Sequence, residues 1–302
     1  FALASSGDPR AEPVLKKVAL EAPAEERARA PALYLLYARR LAESGHRQDS
    51  LRICRRLISY YSAPHEIYVA GHALSLLVEI AGEEALDDLL GAMDSPDKEL
   101  RAAALELAAG IPSEKAVGRW IERMAAVQLE VRPEILHMLG RMGAKSALPV
   151  IVQALESNEK IIRLAAIPAA ARLAGTDVLE KLFGLLRKAE PDESEILKES
   201  LLLFPASAVV TGAVRIFEEM PSSAKAVLIE IMAEKQAAEY LELIFAQTKS
   251  EDTVVRLAAL AGLEHLVSEK DLPRLLELFL KCEDTAERIR IQKAVVFSAR
   301  QI

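Results

Sequence analysis

Along most of the chain apolar residues recur at i, i+3, i+4 and i+7, the period of a helix that buries one stripe. The stripe runs through "SLRICRRLISYY", "EALDDLLGAM", "KAVGRWIERMAA", "SALPVIVQAL", "VLEKLFGLLRKA", "AVVTGAVRIFEEM", "AAEYLELIFAQT" and "DLPRLLELFLK". Strict apolar–polar alternation is scarce, so helix is the predicted element throughout. The connectors "DSPDKE", "AGIPSEK", "AGTD", "AEPDESE", "EEMPSS", "KSEDT" and "KCEDT" hold turn and cap residues. Their Asp, Ser and Thr are predicted to accept from the free N–H groups of the following helix. Pro149 and Pro273 fall near the start of such helices, and Pro133 in the first turn of a later one, where a missing N–H costs little.

Between these stripes a second phrase returns: "LRAAALELA", "IRLAAIPAA" and "VVRLAALAGLEHL". Its arginine falls at Arg101, Arg132, Arg163, Arg256 and Arg290. The first two intervals are 31 residues and the third is 93, three such steps. Lys198 in "ILKESLLLF" and Lys225 in "AKAVLIEIM" fill the gap, and Ala70 and Arg39 continue the register backwards. A period of this length marks a solenoid of stacked helix pairs, none of which buries its apolar stripe alone. The predicted fold is all-α, an α-α superhelix of about nine pairs in a single domain over 1–302. Pro168, inside one of the second helices, is expected to kink it.

The phrases "DKELRAAALELAAG", "NEKIIRLAAIPAAARLAG" and "EDTVVRLAALAGLEHL" run from an acidic cap through an aliphatic residue and Arg to small residues. They resemble the HEAT-repeat family, in particular its short phycobilisome-lyase-type repeats, over roughly residues 9–302. That resemblance implies a HEAT-like solenoid and an extended binding surface. The opening "SGDPRAEPVLKKVALEAP" and "PALYLLYARRLAESGHRQDSLRICRRLI" is similar to HEAT arrays of large bacterial surface or periplasmic proteins, often followed by a sugar-directed jelly roll. This implies an alternative role as accessory domain of a carbohydrate-active protein, and a periplasmic or exported location. A third implied role, chromophore attachment, needs a polar ligand pocket that the residues do not reveal. Beginning at Phe1 and ending in a helical run at Ile302, the chain reads as a fragment of a longer one.

Composition narrows the function. A net charge of −7 repels phosphate backbones, so nucleic-acid binding is not expected. Arg39, Arg40, Arg55 and Arg56 have acids nearby and read as solvated faces. No apolar run is long enough for a membrane span. Cys54 and Cys282 sit far apart in sequence and are expected to be buried, unpaired thiols.

Catalytic chemistry is not legible. His65–Glu66, after Pro64, is the one His–Glu pair and supplies too few ligands for a metal. No cofactor is expected. "EPDESE" and "EEALDD" lie in turns with no apolar neighbours to raise a carboxyl pKa. Trp120 falls in register with Leu89 and Ile151 and is expected in the core. The recurring arginines, with Asp97, Glu159 and Asp252 four residues earlier, are expected to pair within their helices and form a structural ladder. What remains is the concave face formed by the second helices. The column five residues after each arginine includes Glu106, His137, Leu203 and Glu230; with Arg141 and Arg172, its Glu106, His137 and Glu230 are the candidate contacts for a protein or peptide partner. The expected function is a non-enzymatic scaffold.

Overall fold

A computed structural model describes residues 1–23, 29–63 and 65–300. Every helix and turn fits an all-α chain, with no strand among these residues. Two short helices, α1 (Ala2–Ser5) and α2 (Glu12–Lys16), lead into α3 (Ala30–Glu43), the second helix of the opening pair. In chain order there follow α4 (Arg47–Tyr60) and α5 (Ile67–Ala81), α6 (Leu86–Gly91) and α7 (Lys98–Ala109), α8 (Glu114–Ala126) and α9 (Arg132–Met142), and α10 (Leu148–Ala154) and α11 (Lys160–Leu173). Then come α12 (Leu179–Leu186) with α13 (Pro191–Leu201), α14 (Ala206–Ile216) with α15 (Ser222–Glu234), α16 (Leu241–Gln247) with α17 (Thr253–Leu266), and α18 (Leu272–Lys281) with α19 (Thr285–Ala299). Among the described residues the second helices recur near the 31-residue step read from the sequence.

The chain forms two compact units, 1–151 and 152–302. In the first, α3, α5, α7 and α9 stack in order; in the second, α11, α13, α15, α17 and α19 do the same. Alanine makes this close stacking possible. Ala104, Ala166 and Ala259 are fully buried three residues after their arginines. Trp120, Leu89 and Ile151 are also fully buried, the core register that the sequence predicts. The Trp120 indole N–H finds no acceptor among the described residues.

The caps follow the connectors. Asp97 Oδ1 accepts from the backbone N–H groups of Glu99 and Leu100 at 2.8 and 3.3 Å, and Asp252 Oδ1 from those of Val254 and Val255 at 2.8 and 3.4 Å. Ser113 and Asp284 cap α8 and α19 in the same way. Several second helices end on a left-handed residue; Gly143 takes φ of +69° after α9, and Gln236 takes φ of +53° after α15. Glycine adopts that region without the Cβ clash that glutamine meets. Pro168 lies inside α11, and the helix continues through it to Leu173.

In the first unit the opening segment is tied to α3 and α4. Tyr37 Oη donates to Asp8 O at 3.0 Å, and the Tyr60 and Tyr61 hydroxyls donate to Leu20 O and Ala19 O. Glu12 accepts from Arg56 Nη1 at 2.8 Å and Arg52 Nη2 at 2.9 Å. Arg39, Arg40 and Arg55 pair with Glu79, Glu43 and Asp88.

Candidate functional site

The arginines of the refrain do not pair with the acids four residues before them. Asp97 and Asp252 use their carboxylates as helix caps, which leaves the arginines to reach elsewhere. Arg101 donates through Nε and Nη2 to Glu134 at 2.8 and 2.7 Å, and through Nη1 to Ser95 O at 2.8 Å. Arg163 donates to Glu193 at 2.9 and 3.2 Å and to Ser157 O at 2.9 Å. Arg256 donates to Glu287 and to Ser250 O, both at 2.6 Å. Each glutamate is the third residue of the next second helix: α9, α13 or α19. Each serine hydroxyl also accepts from the N–H two residues on, at Asp97, Glu159 and Asp252. The arginine therefore fastens the connector before its own helix to the first turn of the following second helix. A planar, five-donor guanidinium suits that double task, which a lysine ammonium performs less fully.

Two arginines of the series depart from this scheme. Arg132 donates to the carbonyls of Val127 and Ala125 at 3.4 Å rather than to a carboxylate. The Arg290 side chain makes no ion pair or hydrogen bond among the described residues. Lys198, standing in the arginine column, bonds Glu230 at 3.1 Å and Glu195 at 3.0 Å. Burial acts to lower its pKa, but the two glutamates outweigh it and raise the net value. Lys225 reaches Glu218 at 3.4 Å, with its ammonium 5.3 Å from the Phe217 ring centre.

The signal that fixes these partners is present in the chain: "SPDKELR", "SNEKIIR" and "SEDTVVR" repeat Ser, then an acid two residues on, then Arg four further. An acid 30 to 33 residues beyond each of these arginines completes it. The i, i+4 reading missed it because a cap residue and an ion-pair partner are both acids, and only geometry shows which role each takes.

The second-helix column beyond the arginines is open to varying degrees. In the first unit Glu106 and His137 are exposed, and Arg141 lies 3.9 Å from Glu106. In the second unit Leu203 is 58% exposed, Arg172 is exposed without a charged partner among the described residues, and Glu230 is half-exposed against Lys198. The column one residue after the arginines is mixed: Ala226 and Ile291 are buried, Ala102 and Glu199 exposed. These positions form surface patches, not a pocket that converges on a reacting atom.

A match to the family of HEAT repeats covers residues 117–201. Among solved structures, a mutant of Kap121p overlays on 98% of this chain and 39% of its own length, at 14% identity and TM-score 0.61. The karyopherin Kap121p bound to the extreme C-terminus of the protein phosphatase Cdc14p overlays on 95% of this chain and 38% of its own, at 13% identity and TM-score 0.60. This chain thus spans about two fifths of the Kap121p structures it resembles. The fold is a HEAT-like α-solenoid. The CpcE–CpcF complex of phycocyanin lyase from Nostoc sp. PCC7120 aligns over 70% of this chain and 93% of its own, at 18% identity and TM-score 0.37, too loose an overlay to bear on function. No curated protein matches the sequence.

On this solenoid the reactive side chains are dispersed. His65 Nε2 lies 3.9 Å from Glu66, and Pro64 before it is outside the described residues. No three His, Cys, Asp or Glu side chains gather as a metal site among the described residues. Nor is any helix among them long and apolar enough to cross a membrane. Cys54 is buried, and burial pushes its thiol up to about 12. Cys282 departs from the expected buried helical position. It follows the end of α18, is half-buried, and its Sγ sits 3.5 Å from Asp284 O.

The last two second helices carry a groove. It has a volume of about 400 Å³ between α17 and α19, with Ile289, Val296 and Phe297 on its apolar wall and Glu264, His265 and Lys293 among its polar groups.

Proposed function

We propose that the chain is a non-enzymatic scaffold that binds a protein or peptide partner through the exposed face of its second helices. The observation that carries this reading is the register five residues after each arginine. Glu106, His137 and Leu203 there are exposed, and Pro168, Glu230, Ala261 and Val295 half-exposed, while the residues two positions later remain buried in most repeats. A surface that repeats at helix-pair spacing and mixes charge with apolar area suits an extended polypeptide partner better than a small substrate. Kap121p, which shares the fold, is captured with a segment of another protein; the likeness supports the architecture, and the exposed register supports the role.

The test is charge reversal on a second helix of each unit, with a control on a first helix. Arg141→Glu and Arg172→Glu are expected to weaken binding of a partner, identified by photo-crosslinking from position 172, at least about tenfold. Arg187→Glu, on first helix α12's C-terminal edge against Glu219 at 3.0 Å, is expected to leave affinity unchanged. Equal affinity for all three variants assigns binding to another surface and defeats the proposal.

A further inference from the structure

The opening segment is held to the first unit mainly by polar contacts. Its helical run is α-helical from Glu12 to Lys16 and π-helical over Lys17–Glu21. Between Asp8 and Glu21 the buried residues are Ala11, Ala19 and Leu20 alone, whereas α4 buries Leu51, Ile53, Cys54 and Leu57. Val14 at 54% and Val18 at 44% face outward. Two alanines and one leucine supply little apolar hold, and a segment so held opens more readily than the helices beneath it.

The polar contacts read both ends of the run. At its start Glu12 accepts from Arg56 Nη1 at 2.8 Å and Arg52 Nη2 at 2.9 Å, both on α4. Tyr34 of α3 donates to the same carboxylate at 3.3 Å and accepts from Arg56 at 3.0 Å. Burial and the Glu12 charge push the Tyr34 hydroxyl up to about 12, so it stays a donor at neutral pH. At the far end the backbone turns extended at Ala22, and the last carbonyls of the run are left without helical partners. The Tyr60 and Tyr61 hydroxyls fill two of them, Leu20 O and Ala19 O, and Tyr37 Oη takes Asp8 O upstream. In each contact to the segment the body donates and the segment accepts. Four of the chain's six tyrosines stand in this one socket. The Tyr34 and Tyr37 rings lie stacked with centroids 6.3 Å apart, and Tyr60 meets Tyr61 edge-on at 5.1 Å, so α3 and α4 themselves set the hydroxyls in place.

We infer that the donor-lined socket on α3 and α4 is a docking site for a short acidic helix of a partner protein, and that residues 8–21 occupy it as a latch in the free chain. The latch shows what the site selects. A partner helix needs a glutamate in its first turn for Arg52 and Arg56, and bare carbonyls seven and eight residues later for Tyr61 and Tyr60, the spacing of Glu12 to Ala19 and Leu20. Side chains at the places of Val14 and Val18 point away from the socket and are free to vary. While the latch is closed, apparent affinity for the partner is reduced by the fraction of chains that are open. This inference rests on the reading of the chain as a protein-binding solenoid and names the partner's chemistry at one site.

The probe is a fluorescein-labelled peptide that copies residues 8–22, compared with its Glu12→Lys counterpart. In the whole chain Glu12→Lys sets a lysine against Arg52 and Arg56 and is expected to open the latch. Fluorescence anisotropy is expected to show the native peptide binding this variant at least about tenfold more tightly than the native chain, whose own segment competes. That binding weakens as salt rises, and the lysine peptide does not bind. Adding Tyr60→Phe and Tyr61→Phe to the opened chain is expected to cost at least about fivefold, through two lost hydrogen bonds. Circular dichroism confirms that each variant is folded. Equal affinity for the native and Glu12→Lys chains, equal affinity for the two peptides, or no binding up to about 1 mM overturns the assignment. Amide hydrogen exchange on the native chain needs no variant: residues 12–21 are expected to exchange at least about tenfold faster than α4, and equal protection makes the segment a fixed part of the first pair and defeats the latch. Sedimentation that reveals a dimer dissolved by Glu12→Lys gives the socket to the opening segment of a second copy and overturns the inference as well. Should the peptide fail here while Arg141→Glu and Arg172→Glu still weaken an identified partner, the docking inference falls and the proposed function stands.

Discussion

Arg101 and Arg39 both appear as arginines paired with a glutamate from another helix, yet their surroundings differ. Arg101 is 5% exposed and grips Glu134 at both carboxylate oxygens, whereas the Arg39 and Glu79 side chains are both about half exposed. Truncating one member of a buried pair strands the other charge, while an exposed pair is weakened by solvent and entropy. Arg101→Met is expected to destabilise the first unit by about 2 kcal/mol, and Arg39→Met by less than about 0.5 kcal/mol, in urea titrations. A double-mutant cycle with Glu134→Gln should recover most of the Arg101 effect as coupling energy. Glu12 gives a pH dependence of its own. Burial acts to raise its pKa, but hydrogen bonds from Arg56 and Arg52 outweigh burial and bring it below the ordinary glutamate value. Its contribution is therefore fully present above the unfolded glutamate pKa and is lost as pH falls through the lower folded value. Melting temperatures taken from about pH 6 down to about pH 3 should fall less steeply for Glu12→Gln than for the native chain.

Among the helices, the elements were largely legible and their partners were not. The 3.6 period and the cap residues locate the helix pairs, because burial of one stripe and satisfaction of terminal N–H groups are local demands. Asp97 illustrates the limit: its position four residues before Arg101 suits an ion pair, but the orphan amides of α7 claim its carboxylate first. Two backbone positions test the packing between elements. At Gly212 in α14 an added Cβ would stand 2.6 Å from the buried Phe183 ring of α12, so Gly212→Ala is expected to lose about 1–3 kcal/mol despite better helix propensity. Gln236→Gly, which relieves the left-handed glutamine after α15, is expected to gain about 0.5–1 kcal/mol. Opposite signs for both in thermal melts would show that terminal geometry and interhelix clearance have been misread.

For the whole molecule, two compact units and one tryptophan give a simple experiment. Trp120 lies in the first unit, so its fluorescence follows unfolding of residues 1–151, while helical ellipticity follows both units. Helix-pair arrays hold mainly near-neighbour contacts and often unfold in parts. The fluorescence and ellipticity midpoints in urea are expected to separate; a single coincident transition would mean that the chain melts as one cooperative body. The arginine–glutamate fastening adds a rule of composition. Arg101, Arg163 and Arg256 each end in the same socket, the third residue of a following second helix, whereas Lys198 meets Glu230 deep in its helix. Joints built to one pattern are interchangeable parts. Gene duplication or deliberate splicing that cuts between an arginine and its socket can exchange whole helix pairs there without new side chains, and the Lys198 joint is where such shuffling stalls.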